Sequence, residues 1–301
     1  MTLSTDASAL LGVLGMVILA ISWLMRSKHF KILPMVGWIF AGMSFFLESF
    51  KYIEVQDYIL TIMTALCLPL SVGLMIWEWK DDEESRMARH WARGTVAFAG
   101  GPYLLIAYIP WLSVVAIWFV ASQSALFLQY STGTKIELGT TWVNTSEGRI
   151  RWDDWDGNKF FFTDFQGEYP FQTELLLSDG TNIGINFVLA CTAIQSMVLF
   201  VGAISVLNLS RKKRIQVLFL IVPFIHIMNI FRNAGLIWMH MTYTEWTFYG
   251  LSVFEFGHTY VARFVSLFAM FLIALVMFEL LPQMHKNIMT LTSPFKKNSQ
   301  K

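Results

Sequence analysis

Seven long apolar stretches, separated by charged or turn-forming residues, dominate the hydrophobic pattern of this chain. They lie near Ala7–Met25, Ile32–Phe50, Tyr58–Trp79, Gly94–Ala121, Asn182–Leu207, Ile215–Trp238 and His258–Leu281. Each is long enough to cross the roughly 30 Å hydrocarbon core of a bilayer as a helix. Pro34, Pro69, Pro102, Pro110 and Pro223 fall within or beside these runs, where neighbouring helices can satisfy the freed carbonyls. One connection breaks the pattern. Ser122 to Thr181 is a polar segment of about sixty residues, with turn signals at Thr132-Gly133, Asp156-Gly157-Asn158 and Asp179-Gly180. Within it, Lys135 to Val143 is rich in Thr, Ile, Val and Trp and suits a short β-hairpin. A structureless connection of that length is usually a lid or a binding element.

The predicted class is therefore an all-α integral membrane protein of about seven transmembrane helices. It divides into a four-helix part (1–121), an extracytoplasmic loop (122–181), a three-helix part (182–285) and a basic tail (286–301). Composition agrees: 55% of residues are hydrophobic and only 14% charged, and a net charge of +1 gives no case for nucleic-acid binding. The first apolar run lacks a basic leader and a small-residue cleavage site, so no removable signal peptide is expected.

Lys and Arg set the orientation. Fifteen of the 22 basic residues collect on one side: Arg26, Lys28 and Lys31; Lys80, Arg86, Arg89 and Arg93; Arg211 to Arg214; and Lys286, Lys296, Lys297 and Lys301. Five (Lys51, Lys135, Arg149, Arg151 and Lys159) fall on the other. This predicts an outer N-terminus, an inner C-terminus and an outer polar segment. The Asn144-Thr145-Ser146 sequon lies on the outer side, where glycosylation occurs.

The last two basic residues, Arg232 and Arg263, interrupt apolar runs. A charge near a bilayer centre costs about 2.5–3.5 kcal/mol on insertion scales, so both need a reason. In the expected topology Cys191 lies about nine residues into the fifth span, some 13 Å down at the helical rise, and both arginines share the outer half. Asn229 and Arg232, three apart, share a helix face, with His226 one turn further down. Gln195 lies one turn below Cys191, and His258 is only partly co-facial with Arg263. Three consecutive helices thus place Cys191, Arg232 and Arg263 in one pocket. The chemistry suits an activated sulfur: a guanidinium favours the thiolate, or donates to the oxyanion of a tetrahedral intermediate. A leaving amine still needs a proton, from His258 or a water.

Plainer readings stand beside these. Cys67 and Cys191 lie in different apolar runs and read as free thiols, and Cys67 reads as packing. Arg263 is shallow enough to snorkel, and His226 and His240 read as satisfied polar residues. Asp153, Asp154, Asp156 and Asn158 look like the start of a calcium loop, but the glycine is misplaced and the distal Glu missing, so no metal is assigned. No cofactor is expected. Asp81 to Glu84 reads as a solvated inner loop.

Three segments carry a resemblance: Ala190-Cys191-Thr192-Ala193-Ile194-Gln195-Ser196, Asn229-Ile230-Phe231-Arg232-Asn233, and His258-Thr259-Tyr260-Val261-Ala262-Arg263. Over roughly Asn182 to Leu281 the chain resembles the archaeosortase/exosortase family, closest to its archaeosortase A branch. The resemblance implies a membrane-embedded cysteine transpeptidase of an archaeal cell membrane, with its active site facing the extracytoplasmic leaflet. Its substrates would be surface proteins ending in a Pro-Gly-Phe-type motif, a transmembrane helix and a basic tail. A membrane phospholipid would be the acceptor. Cys191 matches the nucleophile, Arg232 the first arginine, and Arg263 a third position that looks like histidine in other branches, which keeps His258 in play. By helical spacing, not by the resemblance, His258, Asn229 and Gln195 are candidate supporting residues. Two other readings remain: a seven-helix transporter or receptor for an anionic ligand, and an intramembrane cysteine protease using water as acceptor.

Overall fold

The computed structural model describes residues 2–25, 31–54, 56–80, 83–161 and 169–292. Arg26, Lys28, Lys296, Lys297 and Lys301 of the basic set, and Asp81 and Asp82 of the acidic run, lie outside the described residues. Among the described residues, six helices are long and apolar enough to cross a membrane, which marks a membrane protein: Ala7–Met25, Ile32–Glu54, Tyr58–Trp77, Pro110–Thr132, Arg211–Thr242 and Val253–Leu280. The chain gathers into two compact units.

The first unit comprises Met1–Gly101, Leu199–Leu218 and Ala269–Lys301. Helices α1 (Thr2–Met25), α2 (Ile32–Glu54) and α3 (Tyr58–Trp77) pack in sequence. Small residues let the backbones close up: a Cβ on Gly15 would fall 2.7 Å from the main-chain nitrogen of Ala41. Asp57 caps α3 by accepting from the Leu60 amide at 3.1 Å. Just past its other end, Glu78 is 1% exposed and gathers three partners. Trp38 Nε1 donates to it at 3.0 Å, Arg89 pairs at 3.2 Å, and Arg93 grips both carboxylate oxygens. Arg89 and Arg93 stand on α4 (Glu83–Tyr108), whose first three turns are charged and whose second half is apolar. Glu83 and Glu84 occupy the first turn, where the helix dipole favours acids.

The second unit comprises Pro102–Val198 and Phe219–Phe268. Here the structure corrects three expectations. The fourth predicted span is not one helix: the chain breaks at Ile109, and α5 (Pro110–Thr132) starts on a proline, whose fixed φ and missing N–H suit a first helical position. The predicted outer loop begins inside α5 and is far from structureless. It holds three strands of a four-stranded antiparallel sheet ordered β2-β1-β3-β4, namely β1 (Ile136–Thr145), β2 (Gly148–Arg151) and β3 (Phe171–Leu177), and β4 (Asn182–Phe187) follows directly after it. The stretch expected to be a hairpin is the single strand β1, which turns into β2 with Thr145 opposite Gly148. Asp179, in the β3–β4 turn, accepts from the Thr181 amide at 2.9 Å, which holds its carboxyl below the usual range.

The third correction concerns the fifth predicted span. Asn182 to Leu207 is a strand, a 3-10 turn (Leu189–Thr192) and a short helix, α6 (Ile194–Ser205). Gly184 adopts φ 85°, which ends any helix at that point. At twelve residues α6 is about 18 Å long, short of a bilayer core.

The sheet is held by apolar side chains from its inner face. Val143, Phe171, Leu175, Ile185 and Phe187 pack with Val114, Ile117 and Ala121 of α5, and with Ala234 and Ile237 of α7 (Arg211–Thr242). One polar thread crosses this core: Trp118 Nε1 donates to Thr141 Oγ1 at 2.7 Å, which shares a 2.9 Å hydrogen bond with Thr173 Oγ1. After α7 comes an aromatic hairpin of β5 (Thr247–Phe248) and β6 (Leu251–Ser252). Then follow α8 (Val253–Phe256), a π-turn (Gly257–Val261), α9 (Ala262–Leu280) and α10 (Pro282–Thr292).

Candidate active site

Cys191 sits on the tight turn between β4 and α6, not inside a helix as the sequence pattern predicts. The turn is tied down at each residue. The Cys191 amide donates to Val188 O at 2.9 Å, and Thr192 Oγ1 donates to Leu189 O at 2.6 Å. Ala193 then takes φ 56°, a left-handed conformation that costs a non-glycine residue about 1–2 kcal/mol. The chain is thereby turned sharply into α6. Cys191 itself packs against the core beneath the sheet.

From the other side, α7 fixes the same turn. Asn229 Nδ2 and Asn233 Nδ2 both donate to the carbonyl oxygen of Cys191, at 2.8 and 2.9 Å. The two amides are four residues apart, hence on one helix face, and both are buried. A buried carbonyl with two side-chain donors is satisfied in full.

Arg232 stands beside this clamp. Its Nη1 donates to Asn233 Oδ1 at 3.3 Å, while its Nε is buried with no acceptor among the described residues. Arg232 interacts electrostatically with both Cys191 and Arg263. Arg232 on α7 is thus within electrostatic range of Cys191 on the 3-10 turn and of Arg263 on α9. Two like charges so close are mutually unfavourable.

The supporting residues divide. Asn229 is in the site, but holds main chain instead of facing a substrate. Gln195 points elsewhere: it is exposed, and its Nε2 donates to Tyr103 Oη at 2.8 Å. His258 lies in the π-turn and stacks on Phe254, with centroids 5.6 Å apart at 19°. His226 and His240 each have a partner, Gln123 Oε1 at 2.8 Å and Ile183 O at 3.0 Å. Cys67 Sγ donates to Met63 O at 3.4 Å within α3.

Asn233, Thr192 and Ala193 are the functional-looking residues the spacing argument passed over. Asn233 was legible, since it repeats Asn229 at the helical period. Of the calcium-like cluster, Asp154 pairs with Arg151 at 3.7 Å, and Asn158 Oδ1 accepts from the Phe160 and Phe161 amides at 2.9 and 3.1 Å. Among the described residues no group of three or more His, Cys, Asp or Glu is arranged to hold a metal. Compared with protein families, curated proteins and solved structures, the chain matches none of them.

Proposed function

We propose that the protein is a membrane-embedded cysteine transpeptidase of the archaeosortase kind, acting at the outer leaflet of an archaeal cell membrane. In this reading the face that collects most of the Lys and Arg is inside. The observation that carries the reading is the convergence of Arg232 with Cys191 and Arg263, around a turn whose main chain is clamped by Asn229 and Asn233.

The substrate is a surface protein with a Pro-Gly-Phe-type motif, a C-terminal transmembrane helix and a basic tail. Cys191 Sγ, as thiolate, attacks a backbone carbonyl of the motif. The carbonyl oxygen becomes an oxyanion, and the Arg232 guanidinium supplies the positive charge that stabilises it. Collapse of the tetrahedral species breaks the C–N bond, leaving a thioester on Cys191. The amine takes up a proton and departs with the helical tail, the proton coming from His258 or water. The amine or hydroxyl of a phospholipid headgroup then attacks the thioester, loses its proton, and regenerates the thiolate. Arg263 supplies a second positive charge next to the first, and no cofactor takes part.

The test is intact-mass analysis of a Pro-Gly-Phe-tailed substrate co-expressed with the wild type or with Cys191→Ala. Loss of the C-terminal helix with a lipid-sized mass gain, only when the thiol is present, is the expected result. Loss without the gain makes the enzyme a protease that uses water. Equal processing by both proteins, or by neither, sinks the nucleophile assignment and favours a transporter or receptor whose arginines bind an anion.

A further inference from the structure

We propose that the aromatic hairpin between α7 and α9, strands β5 and β6 with Tyr249-Gly250 at their tip, seats in the interfacial layer of a lipid bilayer. The inference rests on the chain being a membrane protein and is independent of the Cys191 reading. The hairpin, the end of α7 and the start of α9 all belong to the second unit.

Its surface is unsuited to water. Every residue from Thr242 to Gly250 is exposed. Trp246 stacks on Phe248, with centroids 6.1 Å apart at 11°, and Phe248 meets Tyr249 edge-on at 4.7 Å. Phe256 of α8 lies against Trp246 and Phe248 at 5.6 and 5.2 Å, and against Tyr260 at 5.8 Å. The five rings make one patch, yet Trp246 and Phe248 stay exposed and Tyr249 is 93% exposed. A contiguous apolar patch of this kind marks a protein or membrane contact.

The tip is built for something other than its own turn. Two residues connect the strands, and both take positive φ, 50° at Tyr249 and 80° at Gly250, as a type I′ turn requires. Gly250 suits its place. Tyr249 does not, because asparagine, aspartate or glycine is the usual occupant there. A large ring carrying a hydroxyl at its far end is what the headgroup layer accommodates.

Position and charge name the partner. The hairpin joins two helices long and apolar enough to cross a bilayer, and so it stands where they leave it. Exposed apolar side chains run along α7 through Phe231 to Trp238, whose ring meets Tyr243 at 5.8 Å. They resume at Val261, Phe264 and Val265. The aromatic patch therefore continues the apolar surface of both helices. Between Arg232 and Arg263 the charged residues are Glu245 and Glu255, and Glu255 is tied to Ser252 in a capping box. No lysine or arginine is there to recruit an anionic headgroup or an acidic protein, so a zwitterionic lipid suffices. Because the rings continue through Phe256 to Tyr260 in the π-turn, a seated hairpin also fixes the start of α9 at the bilayer surface.

The experiment uses the full chain in phosphatidylcholine vesicles, with Cys67→Ser and Cys191→Ser as background. A nitroxide is attached at Tyr249→Cys or, as a water-exposed control, at Glu147→Cys between β1 and β2. Power saturation compares collisions with oxygen, which partitions into lipid, and with a nickel chelate, which stays in water. The oxygen-to-nickel ratio should be several-fold higher at 249 than at 147. A label at 249 as open to the chelate as the control overturns the proposal. Spin–spin broadening between labels on two copies overturns it as well, since the hairpin then seats on a second chain. Wild type gives a check that needs no substitution, and it decides if the labelled chain does not fold. With a phosphatidylcholine carrying a diazirine near the top of its acyl chain, photocrosslinked peptides should include Trp246 to Tyr249. Crosslinks confined to the long helices overturn the proposal.

Discussion

Asn233 reaches the carbonyl oxygen of Cys191 across 42 residues of sequence and holds it at 2.9 Å, sharing that acceptor with Asn229. Two donors on one oxygen make the pair redundant until both are gone. Asn229→Leu and Asn233→Leu should each cost about 1 kcal/mol of stability, since one donor remains. The double variant should cost more than the sum of the singles, by about 0.5–3 kcal/mol, because only then is a buried carbonyl left with no side-chain donor. Denaturation midpoints in detergent for the four proteins measure this, and strict additivity would show that the amides do not share one acceptor.

Arg232 makes a contact that lysine would not reproduce in the same geometry. Its Nη1 is taken by Asn233 while its Nε stays unpartnered, so one planar group bridges the clamp and the thiol's surroundings. Arg232→Lys keeps the charge and loses the fork. If the guanidinium stabilises the oxyanion through that fork, substrate processing should fall about 10²–10³-fold with little change in the amount of folded protein. A pulse-chase of tail removal reads it. Processing at the wild-type rate would leave Arg232 with a charge role alone.

The left-handed Ala193 offers a test in the opposite direction. Glycine meets no Cβ penalty at φ 56°, so Ala193→Gly should raise stability by about 0.5–1 kcal/mol. Ala193→Val should lower it, since a β-branched residue fits that region worst. A destabilised glycine variant would mean that the turn is not so constrained in the membrane.

Glu78 is the anchor of the first unit. With Arg89 and Arg93 against it, Glu78→Gln leaves two buried cations facing an uncharged group, and about 3–5 kcal/mol should be lost. The exposed pair Arg86–Glu83, at 3.4 Å, is the control: Arg86→Ala should change stability by about 0–1 kcal/mol. Paired melting curves compare the two.

What the sequence could reveal depended on the kind of order involved. Long uniform apolar runs such as Tyr58–Trp77 and Ile215–Trp238 are legible because length and hydropathy alone determine them. The nearness of Arg232 to Cys191 was legible, because charge in an apolar run is costly and demands a partner. The path through Asn182–Leu207 was not. Ile183, Ile185 and Phe187 alternate as in a strand, yet they run on into the apolar Val188–Leu207, and a short apolar run reads equally as helix or strand. What decides between them is tertiary: Ile185 and Phe187 pack into the core shared by the sheet, α5 and α7. The sheet itself escaped for a related reason. Its pairings join β1 to β3 across some thirty residues, a distance over which no local pattern speaks.

The clamp on Cys191 grips the peptide and leaves the sulfur alone. A cysteine side chain has a single torsion that positions its sulfur, so with the main chain fixed the nucleophile becomes a swivel on a stationary post. Acyl transfer asks for that division of labour. In the proposed transfer, rotation about that one bond is the motion the sulfur needs between the departing tail and the arriving headgroup.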